Sequence, residues 1–392
     1  MGDLRRDGVA HLTGPAAPVV VLGATGSIGT QTLEVADRLG FDVVAIAARR
    51  LSPRLADIAS RHPDAAVAVV DPPDSGAGVL TESLGRRRGG GADAVAGLAA
   101  PRGAVVVNGI VGGAGLAPSV AALAAGNRLA LANKETLVAG GDLVLAAARA
   151  GGGEIVPVDS EHSAIWQCLI GEDTAAVARL VLTASGGPLR GRTAAEMGSV
   201  TVDEALAHPT WDMGPRITVD SATMMNKALE LIEAHHLFGV GYDAIDVVVH
   251  PQSVVHSMVE FVDGSMKAQL GEPDMKVPIQ YALTGPERCQ GVVAPLDLSG
   301  RSLTFEAPDR DAFPCLDLGY AAGRQGGIAP AVLNAADEVA VAAFLDGRIG
   351  FTAIREVVEA TLASVAHRVP GSVEDVLAAD ADARRVATAT IG

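Results

Sequence analysis

Two acids separated by one residue, Asp159 and Glu161, are the first candidates for chemistry in this chain. They follow an apolar run, and if residues 155–158 form a strand, both side chains project from the same side at its carboxyl end. Two carboxylates that converge in this way repel each other unless a cation lies between them. Two unrelated surface acids are the alternative that this segment alone would favour.

A third acid, Glu230, ends the segment DSATMMNKALE. On a helix, Asn226 lies four residues before it and Lys227 three residues before it, so amide, ammonium and carboxylate share one face. A lysine–glutamate pair at this spacing usually faces solvent, but the two methionines before Asn226 predict that this helix packs against a core. With Asp159 and Glu161, Glu230 predicts an all-oxygen site that suits Mg²⁺ or Mn²⁺, with Co²⁺ as a further option, rather than zinc.

Four polar side chains are predicted to supply donors for a phosphate held close to the metal. They are Ser185, in the segment ASGG, and Ser221, Asn226 and Lys227. Hydroxyl, amide and ammonium groups are the usual partners of phosphate oxygens. The predicted ligand is therefore a small phosphorylated molecule.

The segment HPTWDMG at residues 208–214 holds one of only two tryptophans in the chain. Because proline and glycine bound this segment, a loop is predicted there. Trp211 and Met213 on such a loop fit a lid that closes over substrate and excludes water. A packed surface loop is the alternative.

An apolar run followed by three spaced glycines, VVVLGATGSIG at residues 19–29, predicts a strand, a tight turn and a helix. Glycines at these positions let a pyrophosphate approach the helix N-terminus, where Thr25 and Ser27 add donors. Arg49 and Arg50 follow the end of the next predicted strand, where an NAD-binding protein would carry an acid. Two guanidinium groups suit a 2′-phosphate, so NADP(H) is the predicted cofactor, with a solvated basic turn as the alternative.

Elements that could position these residues follow from the hydrophobic pattern. In the first third, short β-branched runs alternate with helical patterns, which predicts a parallel, doubly wound, Rossmann-like sheet. The predicted strands are residues 19–22, 43–47, 66–70, 104–107 and 129–132, the helices include residues 30–39 and 118–125, and residues 74–91 are a predicted surface loop.

Beyond residue 154 the pattern changes to that of an α+β domain with a lid loop, followed by a helical bundle. Its predicted strands are residues 177–183, 245–249, 253–261 and 265–270, and its predicted helices are residues 316–322, 333–345, 352–366 and 373–386. The chain is accordingly predicted to divide into a tail (1–17), an NADPH-binding domain (18–153), a catalytic metal and substrate domain (154–284), a linker (285–312) and a C-terminal helical domain (313–392).

Composition limits the class of protein. The 392 residues are 49% hydrophobic, which excludes a disordered chain. With 46 acidic and 30 basic residues the net charge is −16, which disfavours nucleic acid and anionic membranes as partners. Three cysteines without a C-x-x-C pair indicate a reducing compartment. The first 17 residues have no apolar signal-peptide region, so a soluble, cytoplasmic protein with a short mobile tail is expected.

Taken together, these segments make the sequence resemble the 1-deoxy-D-xylulose 5-phosphate reductoisomerase family, NADPH-dependent enzymes of isoprenoid precursor synthesis. The segments that carry the resemblance are GATGSIG (23–29), LANKE (131–135), PVDSEH (157–162), HPTWDMG (208–214), DSATMMNK (220–227), HPQSVVH (250–256) and QLGEPDM (269–275). The resemblance implies isomerisation by retro-aldol and aldol steps, reduction by NADPH, and a homodimer.

It also implies a role for each matching residue. Metal ligands would be Asp159, Glu161 and Glu230; substrate contacts Lys134, Ser160, Glu161, Ser185, His208, Ser221, Asn226, Lys227 and Glu230; NADPH contacts Thr25, Gly26, Ser27, Ile28, Asn133, Glu135 and Gly214; the lid Trp211 and Met213; and Met275 would face the nicotinamide. Lys134 and Glu161 would move protons. One departure concerns the 2′-phosphate site, where Leu51 stands in place of an asparagine and cannot supply that side-chain contact.

Two rival functions remain open from the sequence. A semialdehyde dehydrogenase shares the GATG opening but needs a nucleophilic cysteine, and Cys168 lies in an apolar helical segment that indicates packing. A module that binds NADP without turnover would leave the three carboxylates and the phosphate donors without a role.

Overall fold

The computed structural model describes residues 17–71, 88–211 and 213–392. The predicted tail, apart from Ala17, therefore lies outside the described residues, as do residues 74–87 of the predicted loop and one residue of the predicted lid, Asp212. The chain divides into two compact units. Unit 1 takes in the chain up to Thr136 with Asp142–Ser163 and Asp274–Pro295, and unit 2 takes in Leu137–Gly141, Ala164–Pro273 and Leu296–Gly392. The five-part division predicted from the sequence has other boundaries and stays a prediction.

Strands and helices are numbered along the chain. The strands are β1 (Val19–Leu22), β2 (Val43–Arg50), β3 (Ala66–Asp71), β4 (Arg88–Gly90), β5 (Val105–Asn108), β6 (Arg128–Leu131), β7 (Glu154–Pro157), β8 (Val177–Ala184), β9 (Ile245–Val249), β10 (Val255–Phe261) and β11 (Met266–Leu270). The helices are α1 (Ser27–Leu39), α2 (Pro53–Arg61), α3 (Ala92–Ala99), α4 (Leu116–Ala124), α5 (Lys134–Gly151), α6 (Ser160–Leu169), α7 (Ala194–Met197), α8 (Val202–Leu206), α9 (Pro215–Ala222), α10 (Met225–Phe238), α11 (Lys276–Thr284), α12 (Cys315–Gln325), α13 (Ala329–Leu345), α14 (Ala353–Ser364) and α15 (Val373–Ile391).

Unit 1 is built on a parallel sheet in the order β4-β3-β2-β1-β5-β6-β7. Its central strands are buried along their whole length, as continuous Val, Ala and Leu runs in a sheet covered on both faces must be. The predicted Rossmann-like sheet is therefore confirmed. The predicted loop is wrong at residues 88–90, because these residues pair with β3 as the edge strand β4.

Residues 103–126 carry no charge, yet they do not form a single apolar span. They fold as β5, a 3-10 turn at Gly112–Gly115 and the helix α4. Within the described ranges, none of the helices combines the length and the apolar character needed to cross a bilayer.

Unit 2 contains a mixed sheet in the order β11-β10-β8-β9, in which β8 and β9 are parallel and the other pairs antiparallel. All four strands were predicted. The C-terminal helical bundle is also confirmed, with α13 packed against both α14 and α15. One large apolar core joins the sheet to these helices and includes Met224 and Met225, which are 3% and 0% exposed.

Candidate active site

The glycine turn of unit 1 lies where the sheet reverses its order, between β1 and β5. Gly23 has φ +85°, and a Cβ placed on it would lie 2.6 Å from the carbonyl oxygen of Gly109. A Cβ on Gly29 would lie 2.3 Å from the carbonyl oxygen of Gly23. Glycine at position 23 therefore allows the turn to lie against the loop after β5, and glycine at position 29 allows α1 to begin close to the turn. Helix α1 begins at Ser27, and Thr25, Gly26 and Ile28 lie around its N-terminus. Crevices at this position of an open α/β sheet are where dinucleotides bind.

Arg49 and Arg50 end β2 with exposed side chains, so the strand continues three residues beyond its predicted end at residue 47. Both Nε atoms lie 3.1 Å from Oδ2 of Asp71, the last residue of β3. The hydrogen bond from Arg50, with that from Arg49, holds the pKa of Asp71 below its usual value. Asp71 was not predicted from the sequence, although an acid at the end of the strand after β2 is a readable sign of a group that could orient both guanidinium groups.

Asn133 and Glu135, predicted to contact NADPH, hold the loop after β5. Asn133 Nδ2 donates to the carbonyl oxygens of Ile110 at 2.6 Å and Gly112 at 3.1 Å, and its Oδ1 caps α5 by accepting from the Thr136 amide. Glu135 Oε1 accepts from the Gly112 amide at 3.2 Å. Both residues are buried, so in the structure they hold this loop from its inner side.

Lys134 begins α5, and its Nζ lies 2.8 Å from Oδ2 of Asp159, with both side chains largely buried. The Ser160 hydroxyl donates to the carboxylate of Glu161. The expectation that Asp159 and Glu161 continue a strand is wrong. Because β7 ends at Pro157 and α6 begins at Ser160, Glu161 lies in the first turn of a helix, where a carboxylate is stabilised by the helix dipole.

Unit 2 holds the predicted amide, ammonium and carboxylate face on α10. Asn226 Nδ2 and Lys227 Nζ each donate to a different oxygen of the Glu230 carboxylate. Lys227 and Glu230 are 4% and 1% exposed. The bend before α10 is made by Met224, a non-glycine residue with φ 60°, whose side chain lies in the core as predicted.

Ser185 and His208 form a hydrogen-bonded pair in unit 2. Ser185 Oγ lies 2.9 Å from Nε2 of His208, and the Gly187 amide donates to the same Oγ at 3.1 Å. Nδ1 of His208 accepts from the amides of Thr210 and Trp211, so in the neutral ring the proton lies on Nε2 and is donated to Ser185. Burial lowers the pKa of His208, which favours this neutral form. Ser185 therefore accepts twice and keeps its own hydroxyl proton for an incoming acceptor.

The loop that carries Ser185 lies directly against α9. A Cβ placed on Gly187, which has φ +67°, would lie 2.6 Å from the carbonyl oxygen of Ser221. The predicted lid segment is irregular over its described residues, which include Met213 and Gly214. The Trp211 ring lies 6.4 Å from the ring of His256. Ser185, His208 and Ser221 thus belong to one region of unit 2, with the lid segment running between His208 and α9.

Cys168 has the properties of a packed residue. It is 6% exposed on α6, and burial raises the pKa of its thiol to about 11. A thiol that stays protonated at neutral pH is a poor nucleophile. The structure therefore disfavours the semialdehyde dehydrogenase function.

Family models match most of the chain. Residues 19–141 match 1-deoxy-D-xylulose 5-phosphate reductoisomerase, residues 155–238 match a C-terminal domain of the same enzyme, and residues 270–386 match the DXP reductoisomerase C-terminal domain. A 1-deoxy-D-xylulose 5-phosphate reductoisomerase of Xanthomonas axonopodis pv. citri is 50% identical over 378 residues, covering 94% of this chain and 95% of that protein. The chain belongs to the 1-deoxy-D-xylulose 5-phosphate reductoisomerase family.

Relatives and solved structures of this family agree with that membership. The reductoisomerase of Symbiobacterium thermophilum is 52% identical over 349 residues, covering 87% of this chain and 90% of that protein. The structure of the Zymomonas mobilis enzyme in complex with NADPH is similar with a TM-score of 0.89 and 45% identity, covering 96% of this chain and 99% of that one. A reductoisomerase in complex with NADPH, fosmidomycin and magnesium is similar with a TM-score of 0.88 and 41% identity, covering 96% and 98%.

Proposed function

We propose that this member of the reductoisomerase family converts 1-deoxy-D-xylulose 5-phosphate to 2-C-methyl-D-erythritol 4-phosphate, using NADPH and a divalent cation. Identity of 50% over nearly the whole length of a curated reductoisomerase carries this conclusion. The family structures that contain NADPH and magnesium support the two cofactors.

We infer that Asp159, Glu161 and Glu230 bind the cation. All three supply hard oxygen ligands, and in each unit an ammonium group lies beside one of the carboxylates: Lys134 beside Asp159 and Lys227 beside Glu230. Ionised carboxylates are the ligands that Mg²⁺ and Mn²⁺ require. When bound, the cation supplies Lewis-acid polarisation of the substrate's carbonyl group.

Proton movement is assigned to Lys134 and Glu161. Lys134 Nζ carries protons at a largely buried position, where Asp159 fixes its direction. Glu161 accepts a hydrogen bond from the Ser160 hydroxyl, which orients its carboxylate. We propose that these groups shuttle the hydroxyl protons exchanged during the carbon–carbon rearrangement, with Ser160 as a further substrate contact.

The phosphate of the substrate is assigned to unit 2. Ser185 offers a hydroxyl proton that His208 and the Gly187 amide leave available, because both donate to its oxygen. Ser221, Asn226 and Lys227 complete the proposed donors on α9 and α10. Binding of the phosphate, which is remote from the reacting carbons, supplies free energy. That free energy can be used to close the lid residues Trp211 and Met213 over the substrate.

NADPH is assigned to the crevice of unit 1 and supplies the hydride. Its pyrophosphate would lie at the N-terminus of α1, and its 2′-phosphate beside the guanidinium groups that Asp71 holds. The proposed contacts are Thr25, Gly26, Ser27, Ile28, Arg49, Arg50, Gly214 and Met275, with Asn133 and Glu135 shaping the wall through the loop after β5.

Cellular setting and assembly are proposed from chemistry and family. The described cysteines Cys168, Cys289 and Cys315 are all free, which suits a reducing cytoplasm. The family resemblance supports a homodimer.

Loss of NADPH absorbance with 1-deoxy-D-xylulose 5-phosphate tests the proposal, on chelator-stripped protein before and after Mn²⁺ is added. We expect turnover only with metal, its loss in Glu230→Gln, and its retention in Glu359→Gln, which changes a half-exposed acid on α14. Metal-independent turnover stopped by a thiol reagent would favour the dehydrogenase, and NADPH binding without turnover would favour a binding module.

A further inference from the structure

A polar cluster in unit 2 surrounds Arg216, the second residue of α9. Its side chain is only 19% exposed, and it reaches α13, where Nη1 lies 3.0 Å from Glu338 Oε1 and Nη2 donates to Asn334 Oδ1 at 2.9 Å. Asn334 in turn donates to Glu338 at 3.1 Å. One guanidinium thus bridges two side chains on a helix more than 100 positions later in the chain.

Two buried acids also lie close to the Arg216 guanidinium group. Asp220, on α9, has Oδ2 3.6 Å from Arg216 Nε, and Asp337, on α13, has Oδ2 3.9 Å from Arg216 Nη2. Burial, together with the neighbouring Asp220 carboxylate, raises the pKa of Asp337 well above its usual value. One acid from α9 and one from α13 thus lie beside the same guanidinium group, which adds a second connection between these helices.

The cluster extends to the last helix. Glu338 uses its second oxygen to accept from Arg384 on α15, whose Nε lies 2.6 Å from Asp380 Oδ2. Partly buried charge clusters of this kind add little to stability compared with well-packed apolar side chains, and in some proteins they fix one arrangement of the elements that carry them. The cluster is thus better explained as a positioning device than as a source of stability.

The helix that it positions carries substrate-binding groups. Arg216 lies two residues after Gly214, where the lid segment ends, and five residues before Ser221. The Ser221 carbonyl in turn lies against Gly187, in the loop of Ser185. A small shift of α9 therefore changes the distance between the Ser221 and Ser185 hydroxyls as well as the downstream end of the lid.

We propose that Arg216 is a positioning residue for phosphate recognition, anchored by Glu338 and Asn334, and that it aligns Ser221 with Ser185. This inference rests on the proposed function, which places the substrate phosphate at these serines. Arg216 itself acts through α9.

The test compares Arg216→Lys, Arg216→Met and Glu338→Gln with the wild type. Lysine keeps the charge but lacks the planar guanidinium fork whose two η nitrogens separately reach Glu338 and Asn334, so it should rescue only part of what methionine loses. Arg355→Met is the matched control, because Arg355 forms an exposed pair with Glu359 on α14. Kinetics with substrate and NADPH are combined with calorimetry of inorganic phosphate binding.

We expect Arg216→Met to raise the KM for the phosphorylated substrate by about tenfold or more, the loss of roughly one charge-assisted hydrogen bond. Inorganic phosphate should bind more weakly by a similar factor, while the KM for NADPH stays within about twofold. The lysine and glutamine variants should be intermediate, and Arg355→Met should match the wild type.

Unchanged phosphate binding in the folded lysine and glutamine variants would overturn the inference. Equal rises in both KM values would also overturn it, since they indicate general loosening. A wild type that binds phosphate but does not turn over the substrate would refute the proposed function alone, and the calorimetry would still decide the role of Arg216.

Discussion

Replacing Asp337 by asparagine should stabilise unit 2 increasingly as the pH rises. Asp337 is fully buried on α13, and its neighbours include Asp220, Arg216 and Glu338, with the buried thiol of Cys315 also close enough to interact. Burial and Asp220 raise its pKa more than Arg216 lowers it. The folded protein therefore keeps a proton on this carboxyl group at pH values where the unfolded chain releases it.

The sign and size of the effect follow from proton linkage. Above about pH 4, the ordinary pKa of an aspartate, the unfolded state has lost this proton and the folded state retains it. The wild type therefore loses about 1.4 kcal/mol of unfolding free energy per pH unit, up to the raised pKa of the folded state. Asparagine has nearly the same shape and no such titration, so its advantage over the wild type should grow at that rate.

Urea unfolding at pH 5, 6 and 7, followed by tryptophan fluorescence, measures this difference. Trp166 and Trp211 both belong to unit 2, so the signal reports the unit that contains Asp337. Asp346→Asn, at an exposed acid, is the control and should show no such trend. A difference between Asp337→Asn and the wild type that stays constant or shrinks as the pH rises would refute the reasoning, because it would mean that Asp337 is ionised in the folded state.

Three further predictions concern the two units separately. Cys168→Ser should retain turnover, and thiol reagents should inactivate the wild type only slowly, since the thiol is buried with a pKa of about 11. Fast inactivation of the wild type that the variant escapes would count against a packing role for Cys168. Gly23→Ala should weaken NADPH binding by about tenfold or more in fluorescence titrations. The reason is that residue 23 has φ +85° and its new Cβ would lie 2.6 Å from the Gly109 carbonyl oxygen. Unchanged affinity would show that the turn can relax. Replacing Arg49 and Arg50 by serine should lower kcat/KM for NADPH by about tenfold and leave that for NADH nearly unchanged; an equal fall for both would place the 2′-phosphate elsewhere.

Most of the fold could be predicted because its patterns are local. The β-branched runs of β1, β2 and β3 and the glycine turn before α1 are each readable within about ten residues. The face of α10 that joins Asn226, Lys227 and Glu230 follows from helical spacing and is confirmed by their hydrogen bonds. Burial of Met224 and Met225 was also readable, as apolar side chains preceding a polar face.

The remaining features depend on contacts between distant parts of the chain. The helical start at Ser160 was missed because strand alternation was applied as far as Glu161, although the strand ends at Pro157. Strand β4 was missed because an Arg/Gly segment has no strand pattern of its own and forms one only beside β3. Neither the role of Asn133 in holding the loop after β5 nor the bridge from Arg216 to α13 can be read from spacing.

Unit 1 cannot be completed early in synthesis, because one of its segments comes late in the chain. Unit 1 needs Asp274–Pro295, where α11 packs on α1, β6 and β7, Lys276 pairs with Glu34 at 2.6 Å, and Arg128 donates to the Gly285 carbonyl at 2.7 Å. At about 5–20 residues per second, the ribosome delivers this segment on the order of ten seconds after Thr136. Until then the nascent sheet lacks the cover of α11 on β6 and β7, so chaperone binding and truncation fragments should be sensitive to whether the chain extends past Pro295.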